Sequence, residues 1–292
     1  MSMATITVFT PVYNRAGIIN SLYVSLKQQS FKDFEWLIVD DGSKDNIEEV
    51  VQSFINEGIV NIRFYSQPNG GKHRAINKGV ELAKGDLFFI VDSDDTITPD
   101  ALEQLNKYYQ QIKLDDRFAG VSGYRCLPDG SNVYNHPKNR ILDCTNLEFA
   151  YKYNQVGGTA EAYKTKVLRN FPFPDIEGEK FCAESLVWNR IAEKYMIRFF
   201  NESIYVWNFL PEGLTAGSIR NRKNSPTYAM LNYSEQLERN ITISRKIKCA
   251  INYWRFYFVK KHKRSVSIPF VWYAFAPMGY ILNRKDKSSL AH

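Results

Sequence analysis

The chain has 292 residues, of which 44% are apolar and 24% are charged. This composition is ordinary for a globular protein, and the length can bury a large core in one extended α/β domain or in two smaller domains. The absence of internal repeats and low-complexity segments excludes repeat and fibrous architectures. The net charge of +7 is concentrated near the carboxyl end, where the residues from Arg220 onward hold 15 Lys and Arg against 3 Asp and Glu.

Runs of β-forming residues alternate with helical patterns through the first 91 residues. The predicted strands are Thr5–Phe9, Phe34–Val39, Ile62–Tyr65 and Leu87–Val91, and the predicted helices are Ile18–Gln28, Asn46–Ile55 and Lys72–Ala83. Strands joined by crossover helices form a parallel sheet, and the ligands of such sheets lie off the carboxyl ends of the strands. We therefore expect the polar segments after the four strands, 10–15, 40–43, 67–72 and 92–95, to meet in one crevice.

Three carboxylates follow the fourth predicted strand in the segment Asp92-Ser93-Asp94-Asp95. Carboxylates this close repel one another unless a divalent cation, with an anionic ligand on its far side, balances their charge. The segment therefore predicts a metal-assisted site for a phosphate-containing substrate. The alternative is that it caps a helix starting near Pro99, but a cap needs only one carboxylate.

Neither a Walker loop nor a G-x-G-x-x-G turn follows any of these strands, so phosphate charge must be met in another way. A metal at Asp92 and Asp94, helped by Lys72 or Arg74, would neutralise the phosphate charge. The two glycines at 70–71 fit either a flexible strand-to-helix turn or a ligand contact.

The segment Asp40-Asp41-Gly42-Ser43 also has two interpretations. It fits a turn in which Ser43 or Asp45 caps the next helix. Carboxylates at the end of a buried strand also fit acceptors of hydrogen bonds from a base N–H or a ribose hydroxyl. Tyr13 fits either stacking on a base or ordinary packing.

The second half of the chain is less regular. Between Phe118 and about Leu210 we predict short aromatic strands, a turn at 128–130 and one amphipathic helix, Glu184–Lys194, in a region that shapes a second substrate pocket. From about Ser225, two helical stretches lead into a basic, aromatic tail.

An uncharged stretch of 15 residues, Ile268–Leu282, lies in this tail. It is too short to cross a bilayer, which takes about 20 apolar residues, and two prolines and a glycine interrupt it. Basic residues at 260–264 and 284–285 flank it, so residues 254–287 are suited to peripheral contact with an anionic membrane. The alternative is a helix that packs its aromatic face on the rest of the protein. Because no nucleic-acid-binding module surrounds the basic residues, we expect no nucleic-acid partner.

The cysteines and the amino terminus indicate the compartment. Cys126, Cys144, Cys182 and Cys249 show no close pair and no zinc-type spacing, which is typical of reduced packing residues. The apolar stretch from Thr5 has strand length and lacks the basic leader and cleavage site of a secretory signal. We therefore expect a cytoplasmic protein.

Four motifs occur in order at the ends of the predicted strands. They are Thr10-Pro11-Val12-Tyr13-Asn14-Arg15, Asp40-Asp41-Gly42-Ser43, Gly70-Gly71-Lys72 with Ala75-Ile76-Asn77-Lys78-Gly79, and Asp92-Ser93-Asp94-Asp95. Together they resemble the family 2 glycosyltransferases with the GT-A fold, firmly over about the first 115 residues and loosely beyond. The resemblance implies an α/β, Rossmann-like fold with a mostly parallel sheet flanked by helices, to which this chain adds a C-terminal helical, basic and aromatic extension. The implied division is a nucleotide-sugar-binding half at 1–115, an acceptor-binding half of the same domain at 116–224 and the extension at 225–292.

The resemblance also implies a reaction. It is the inverting transfer of a sugar from a nucleotide-sugar, usually a UDP-sugar, to a hydroxyl of a saccharide or lipid-linked saccharide, with Mn²⁺ or Mg²⁺ as cofactor. By position, Asp41 would contact the uracil, Asp92 the ribose region, and Asp94 would hold the metal against the diphosphate. The implied donor-site residues are Thr10, Pro11, Tyr13, Arg15, Asp41, Lys72, Arg74, Asp92 and Ser93, with Asp92 and Asp94 at the metal. The enzyme would build a surface polysaccharide or glycolipid at the cytoplasmic face of the inner membrane.

An inverting displacement needs a general base within hydrogen-bond reach of the acceptor hydroxyl. The family places an acidic pair at the start of a helix in this region, so Glu184 is the first choice beside Asp94 as a catalytic residue, although Ser185 stands where a second acid is common. Glu184 also fits a helix N-terminus, where the macrodipole favours a carboxylate. The next choices are Glu179, Glu177 and Asp175. The segment 211–215, with Arg220 and Arg222 after it, resembles the part of these enzymes that closes over the donor.

Two further functions compete with glycosyl transfer. The segment from Asp92 to Thr96 matches the D-x-D-x-T pattern of haloacid-dehalogenase-like phosphatases, in which Asp92 would be the nucleophile. That family carries the motif on its opening strand and needs a late acidic motif, which this chain lacks. The other alternative is a non-catalytic, membrane-binding α/β protein.

Overall fold

A computed structural model describes residues 5–133, 141–153, 155, 157–208, 217–259 and 266–289, with side chains as far as Asp286. The chain divides into two compact units. The first comprises Met1–Pro172 and Val187–Leu210, and the second comprises Phe173–Leu186 and Pro211–His292. The functional division at 115 and 224 stays a prediction.

The first unit is an α/β structure. Its described strands are β1 (Ile6–Val12), β2 (Phe34–Asp40), β3 (Ile62–Ser66), β4 (Leu87–Ile90), β5 (Thr96–Ile97), β6 (Phe118–Cys126), β7 (Leu142–Cys144), β8 (Thr159–Lys164) and β9 (Met196–Val206). Its helices are α1 (Asn20–Lys27), α2 (Ile47–Glu57), α3 (Lys72–Leu82), α4 (Ala101–Gln110), α5 (Asn146–Tyr151), α6 (Thr165–Leu168) and α7 (Ser185–Ala192), the last of which begins in the second unit.

The described strands form one sheet in the order β3-β2-β1-β4-β8-β6-β9-β5, with β7 also paired to β9. The first four strands are mutually parallel, which confirms the predicted β-α-β series. Beyond β4 the pairing is mixed, because β8 runs antiparallel to both β4 and β6, whereas β6 and β9 are parallel. The carboxyl ends of β1, β2 and β4 therefore meet at one edge of the sheet, as expected.

The strand β2 shows how helices cover the sheet. All seven of its residues are buried, so it is covered on both faces. Trp36 on β2 lies among the stacked rings of Tyr23 and Phe54 from α1 and α2. The buried Glu35 carboxylate on the same strand accepts hydrogen bonds from Thr7 and Arg63, so its charge is satisfied.

A buried lysine joins β8 to the end of α4. Lys164 is 1% exposed, and its ammonium donates to the carbonyls of Ile112 (3.0 Å), Lys113 (3.2 Å) and Asp115 (2.8 Å). A cation is favourable where the carbonyls of a helix C-terminus lack helical partners. Burial lowers the pKa of Lys164.

The second unit is helical where it is described. Its elements are α8 (Ser218–Asn224), α9 (Pro226–Glu238), α10 (Ile243–Tyr257), a short 3-10 helix (Phe270–Phe275) and α11 (Ala276–Ser289). Its own hydrophobic core forms around Met230, Tyr253, Trp254 and Phe256. These helices confirm the helical stretches predicted after Ser225.

Several local predictions are resolved by these elements. The proposal that Asp92 to Asp95 caps the next helix is wrong, because β5 intervenes and α4 begins after its N-cap residue Asp100. The turn at 128–130 is confirmed, since Gly130 has φ +80° and its N–H donates to the Leu127 carbonyl at 2.9 Å. All four cysteines are buried and form no disulfide. Within the described ranges, no helix has the length and apolar character required to cross a membrane.

Candidate active site

The loop after β4 brings three carboxylates together at the carboxyl edge of the sheet. Ligand oxygens of Asp92, Asp94 and Asp95 all lie within 4.8 Å of one another. Asp92 and Asp94 are half-buried, whereas Asp95 is 3% exposed. The predicted cluster therefore exists, and its members differ in environment.

Asp95 attaches this loop to the end of β9. One of its carboxylate oxygens accepts from the Tyr205 hydroxyl at 2.6 Å and the other accepts from the Asn208 backbone N–H at 2.7 Å. The Asn208 side chain also donates to the Asp94 carbonyl at 3.0 Å. Burial raises the pKa of Asp95 to about 6, although both hydrogen bonds oppose the rise. Asp95 therefore holds the loop in place through contacts with both of its carboxylate oxygens.

Asp92 is surrounded by positive charge. Its carboxylate lies 2.7 Å from the Lys72 ammonium, at the start of α3. Burial raises the pKa of Asp92, but the charges of Lys72, Arg125 and Arg15 outweigh this effect and hold the pKa below its ordinary value. Protein groups therefore contact Asp92 and Asp95 in addition to any cation, and Lys72 is one of the two basic residues named from the sequence for this place.

Asp94 differs from its neighbours. Among the described residues it forms no ion pair, and burial together with the negative charge of Asp92 raises its pKa. A carboxylate whose charge is disfavoured by its surroundings gains most from a nearby cation. The half-buried oxygens of Asp92 and Asp94 are hard ligands of the kind that Mn²⁺ and Mg²⁺ take, so this donor set fits the implied metal.

Asp41, at the end of β2, organises the loop between β3 and α3. Its buried carboxylate accepts four hydrogen bonds, from the side chains of Gln67 (2.9 Å) and Asn69 (3.2 Å) and from the N–H groups of Gly70 (2.9 Å) and Gly71 (2.7 Å). A carboxylate has about four acceptor positions, so this set occupies them all. The predicted contact of Asp41 with a uracil stays a prediction.

The segment 40–45 is a turn, but its side chains do not cap α2. The N-cap residue of α2 is Asn46. The Ser43 hydroxyl accepts from the Asn14 N–H, and Asp45 accepts from the Ala16 N–H, each at 2.8 Å. These bonds join the loop after β2 to the loop after β1, so the predicted caps are wrong and the two motifs are in direct contact.

The remaining predicted donor-site residues lie around this edge in different environments. Thr10 is fully buried, and its hydroxyl accepts from the Trp36 indole N–H at 2.9 Å. Tyr13 is 44% exposed beyond β1, and Pro11 beside it is half-buried. Ser93 is buried, and Arg74 donates to the Gly70 carbonyl. The structure thus brings Arg15, Lys72, Asp92 and Asp94 into one electrostatic cluster and directs the side chain of Thr10 into the core.

The candidate general bases belong to the second unit. Asp175 and Glu177 are exposed, and Glu184 is half-buried just before α7. Glu179 is buried, and its two oxygens accept from the N–H groups of Thr227 (2.9 Å) and Tyr228 (3.0 Å) in the first turn of α9. Glu179 therefore stabilises a helix N-terminus, a role that the sequence analysis gave as the alternative for Glu184. The predicted closing segment 211–215 lies outside the described residues.

Sequence reasoning missed three residues of the site. Arg125 on β6 lowers the pKa of Asp92, and its guanidinium lies 4.8 Å from the centre of the Tyr205 ring. Tyr205 and Asn208 bind the loop of carboxylates. None of the three belongs to a motif. The pairing of β6 with β9 brings Arg125 beside Tyr205, and the pairing of β5 with β9 brings Tyr205 beside the loop of carboxylates.

Known proteins with similar sequences include glycosyltransferases. Glycosyltransferase GlyG of Streptococcus pneumoniae serotype 4 is 33% identical over 216 residues, which cover 69% of this chain and 70% of GlyG. A chondroitin synthase of Pasteurella multocida is 36% identical over 153 residues, which cover 51% of this chain and 15% of the synthase.

The fold and the family agree with these similarities. The crystal structure of S. aureus TarS 1-349 in complex with UDP-GlcNAc superposes with a TM-score of 0.65 and 19% identity, covering 94% of this chain and 79% of the TarS 1-349 chain. This likeness confirms the GT-A fold. The sequence model of glycosyl transferase family 2 matches residues 7–162, more than half of the chain. The chain therefore belongs to glycosyltransferase family 2.

Proposed function

We propose that this glycosyltransferase moves a sugar from a UDP-sugar to a hydroxyl of a saccharide or lipid-linked saccharide, with inversion, in polysaccharide or glycolipid synthesis. The observation that carries the proposal is the cluster of Asp92 and Asp94 at the carboxyl edge of the sheet, beside Lys72 and Arg15. TarS was solved with UDP-GlcNAc, and a chondroitin synthase is among the relatives, which supports the donor and product classes.

Donor binding is assigned to the loops after β1, β2, β3 and β4. The nucleotide would be bound at Pro11 and Tyr13 and at the loop that Asp41 organises, the diphosphate by Arg15, Lys72 and Arg74, and the ribose region by Asp92 and Ser93. Thr10 and Asp41, whose side-chain oxygens already accept hydrogen bonds, would hold the surrounding strand and loop in place. Lys72 pairs with Asp92 at 2.7 Å, and its ammonium can also approach a diphosphate. The cations around Asp92 would thus offset the charge of the donor as well as that of the carboxylate.

Asp94, with Asp92, would hold Mn²⁺ or Mg²⁺. When bound, such an ion stabilises negative charge on a departing diphosphate. Asp95 keeps the loop in register through Tyr205 and Asn208, so the two ligating carboxylates need not reorganise.

Glu184 remains the first choice for the base that takes the proton of the acceptor hydroxyl. Glu177 and Asp175 follow, and Glu179 comes last because its oxygens already accept from α9. Two backbone N–H groups on the Glu179 carboxylate make it less available to accept a proton from the acceptor.

We also propose that the enzyme works at the cytoplasmic face of the inner membrane, with peripheral contact through residues 254–287. The basic character of the chain from Arg220 onward supports this location.

The test is calorimetric titration of UDP into the protein with and without Mn²⁺, repeated on Asp94→Asn. We expect Mn²⁺-dependent binding in the wild type and its loss in the variant. Asp116→Asn is a matched control, because Asp116 pairs only with Lys166 on the surface in the described part of the chain. Equal binding of UDP by Asp94→Asn would overturn the metal assignment. Absence of UDP binding in the wild type would overturn the uridine assignment and lead to titration of other nucleotides.

A further inference from the structure

The last described elements of the second unit expose an apolar surface. In the 3-10 helix, Phe270 is 84% exposed and Val271 is 67% exposed. In α11, Met278 is 46% exposed and Ile281 is 53% exposed. Tyr273 and Tyr280 add partly exposed rings, and we call these six residues the apolar face. Contiguous exposed apolar side chains of this kind mark interaction surfaces.

The opposite side of α11 is firmly packed on α10. Gly279 lies so close that a Cβ added there would be 2.3 Å from the Trp254 Cβ. Asn283 is 1% exposed and donates to the Arg255 carbonyl at 2.9 Å, and the Arg255 guanidinium donates to Asp286 at 2.7 Å. The packed side of α11 thus includes the polar groups of Asn283 and Asp286, whereas its first turns expose Met278, Tyr280 and Ile281.

Charge at the end of the apolar face indicates the partner. Exposed Arg284 and Lys285 follow it on α11. From Ile243 to the end, the sequence holds 11 Lys and Arg against one acid, Asp286, which is paired with Arg255 and Lys223. A second copy of this surface would bring like charges together, whereas anionic lipid would balance them.

We propose that the apolar face inserts into the surface of an anionic bilayer, with Phe270 and Val271 entering deepest and Arg284 and Lys285 at the headgroups. Apolar side chains beside basic residues, with tyrosines between them, are the features of interfacial anchoring. This proposal rests on the membrane location given under the proposed function. Binding of the apolar face to lipid requires neither the donor nor the metal.

The test is co-sedimentation of the full chain with phosphatidylcholine vesicles that contain phosphatidylglycerol, compared with phosphatidylcholine alone. We expect binding to the anionic vesicles, and a loss of about tenfold or more in the Phe270→Ser, Val271→Ser double variant. The matched control is Leu114→Ser with Ile59→Ser, since these residues of the first unit are 95% and 58% exposed. The Arg284→Gln, Lys285→Gln double variant should bind the anionic vesicles about fivefold more weakly for each charge removed. Its difference from the wild type should be smaller at high salt.

Calorimetric UDP titration of the same variants separates this proposal from the proposed function. Loss of vesicle binding with unchanged UDP binding supports the apolar face as a membrane anchor. Vesicle binding by the double serine variant at the wild-type level would overturn it. A wild type that forms dimers and ignores vesicles, together with a monomeric double variant, would also overturn it and identify a second copy as the occupant.

Discussion

The Tyr205 hydroxyl connects β9 to the loop of carboxylates through two hydrogen bonds. It donates to Asp95 at 2.6 Å and accepts from the Asp92 backbone N–H at 3.1 Å. Tyr205→Phe leaves a buried Asp95 oxygen without its donor and frees the loop to move. We expect Mn²⁺-dependent UDP affinity to fall about tenfold, measured by calorimetry, because the two ligating carboxylates lose their fixed positions.

Tyr108→Phe is the control for this prediction. The Tyr108 hydroxyl donates to Glu202 at 2.8 Å, so the variant loses the same kind of bond elsewhere in the first unit. We expect it to lower thermal stability without changing UDP affinity. Equal UDP affinity in Tyr205→Phe and the wild type would show that Tyr205 does not position the site.

Asp41 provides a second prediction at this scale. An Asn side chain has one acceptor oxygen for the four donors that Asp41 satisfies, and its amide would face N–H groups. We expect Asp41→Asn to lower the free energy of unfolding by about 3 kcal/mol in urea titrations. Asp45→Asn changes an exposed carboxylate that accepts one backbone bond, and we expect a loss under about 1 kcal/mol. Similar losses in the two variants would contradict a central role for Asp41.

The residue scale also shows which parts of the site the sequence could predict. Asp92 and Asp94 were predictable, because the motif and the strand before it are local. The partners of Asp95 were not, since Tyr205 is 110 positions away and a single Tyr in a strand carries no motif. Likewise, the sequence pattern around Asp41 is typical of a ligand-binding acid. In the structure, donors 26 to 30 positions later in the chain occupy the acceptor positions of its carboxylate.

At the scale of elements, α3 is positioned by a glycine. A Cβ added to Gly79 would lie 2.2 Å from the ring of Phe9 on β1, so only glycine lets the helix approach the sheet this closely. We expect Gly79→Ala to lower the free energy of unfolding by about 2 kcal/mol, because the helix carrying Lys72 must shift. Urea titration measures the loss, and UDP titration should show weaker binding.

Gly17→Ala is the control for the helix prediction. A Cβ at Gly17 meets nothing within 4 Å. We expect a change within about 0.5 kcal/mol. A Gly79→Ala protein as stable as Gly17→Ala would mean that α3 can shift without cost.

The elements differ in how far local pattern determines them. The first four strands and three helices were predictable to within a few residues, because the strands are short runs of apolar and aromatic residues and the helices place apolar residues at helical spacing. The placement of β8 between β4 and β6, and of β9 beside β6, was not predictable. Those pairings join segments far apart in the chain, and burial along β9 alternates only in part.

At the scale of the whole molecule, each unit buries its own hydrophobic core. One core surrounds the sheet of the first unit, and the other surrounds α9, α10 and the 3-10 helix of the second. Chains with separate cores depart from two-state unfolding. We therefore expect two transitions in calorimetric melting, one for each unit.

Two glycine variants and one ligand assign these transitions. Gly79→Ala should lower only the transition of the first unit, and Gly279→Ala only that of the second, since its Cβ would lie 2.3 Å from the Trp254 Cβ. In our proposal, UDP with Mn²⁺ binds the native first unit. At about 100 times its Kd, UDP should therefore stabilise that unit by about 2.7 kcal/mol. It should raise the temperature of the same transition that Gly79→Ala lowers. A ligand that raised the transition lowered by Gly279→Ala would place donor binding in the second unit. A single transition shifted by both variants would show that the two cores unfold as one cooperative structure.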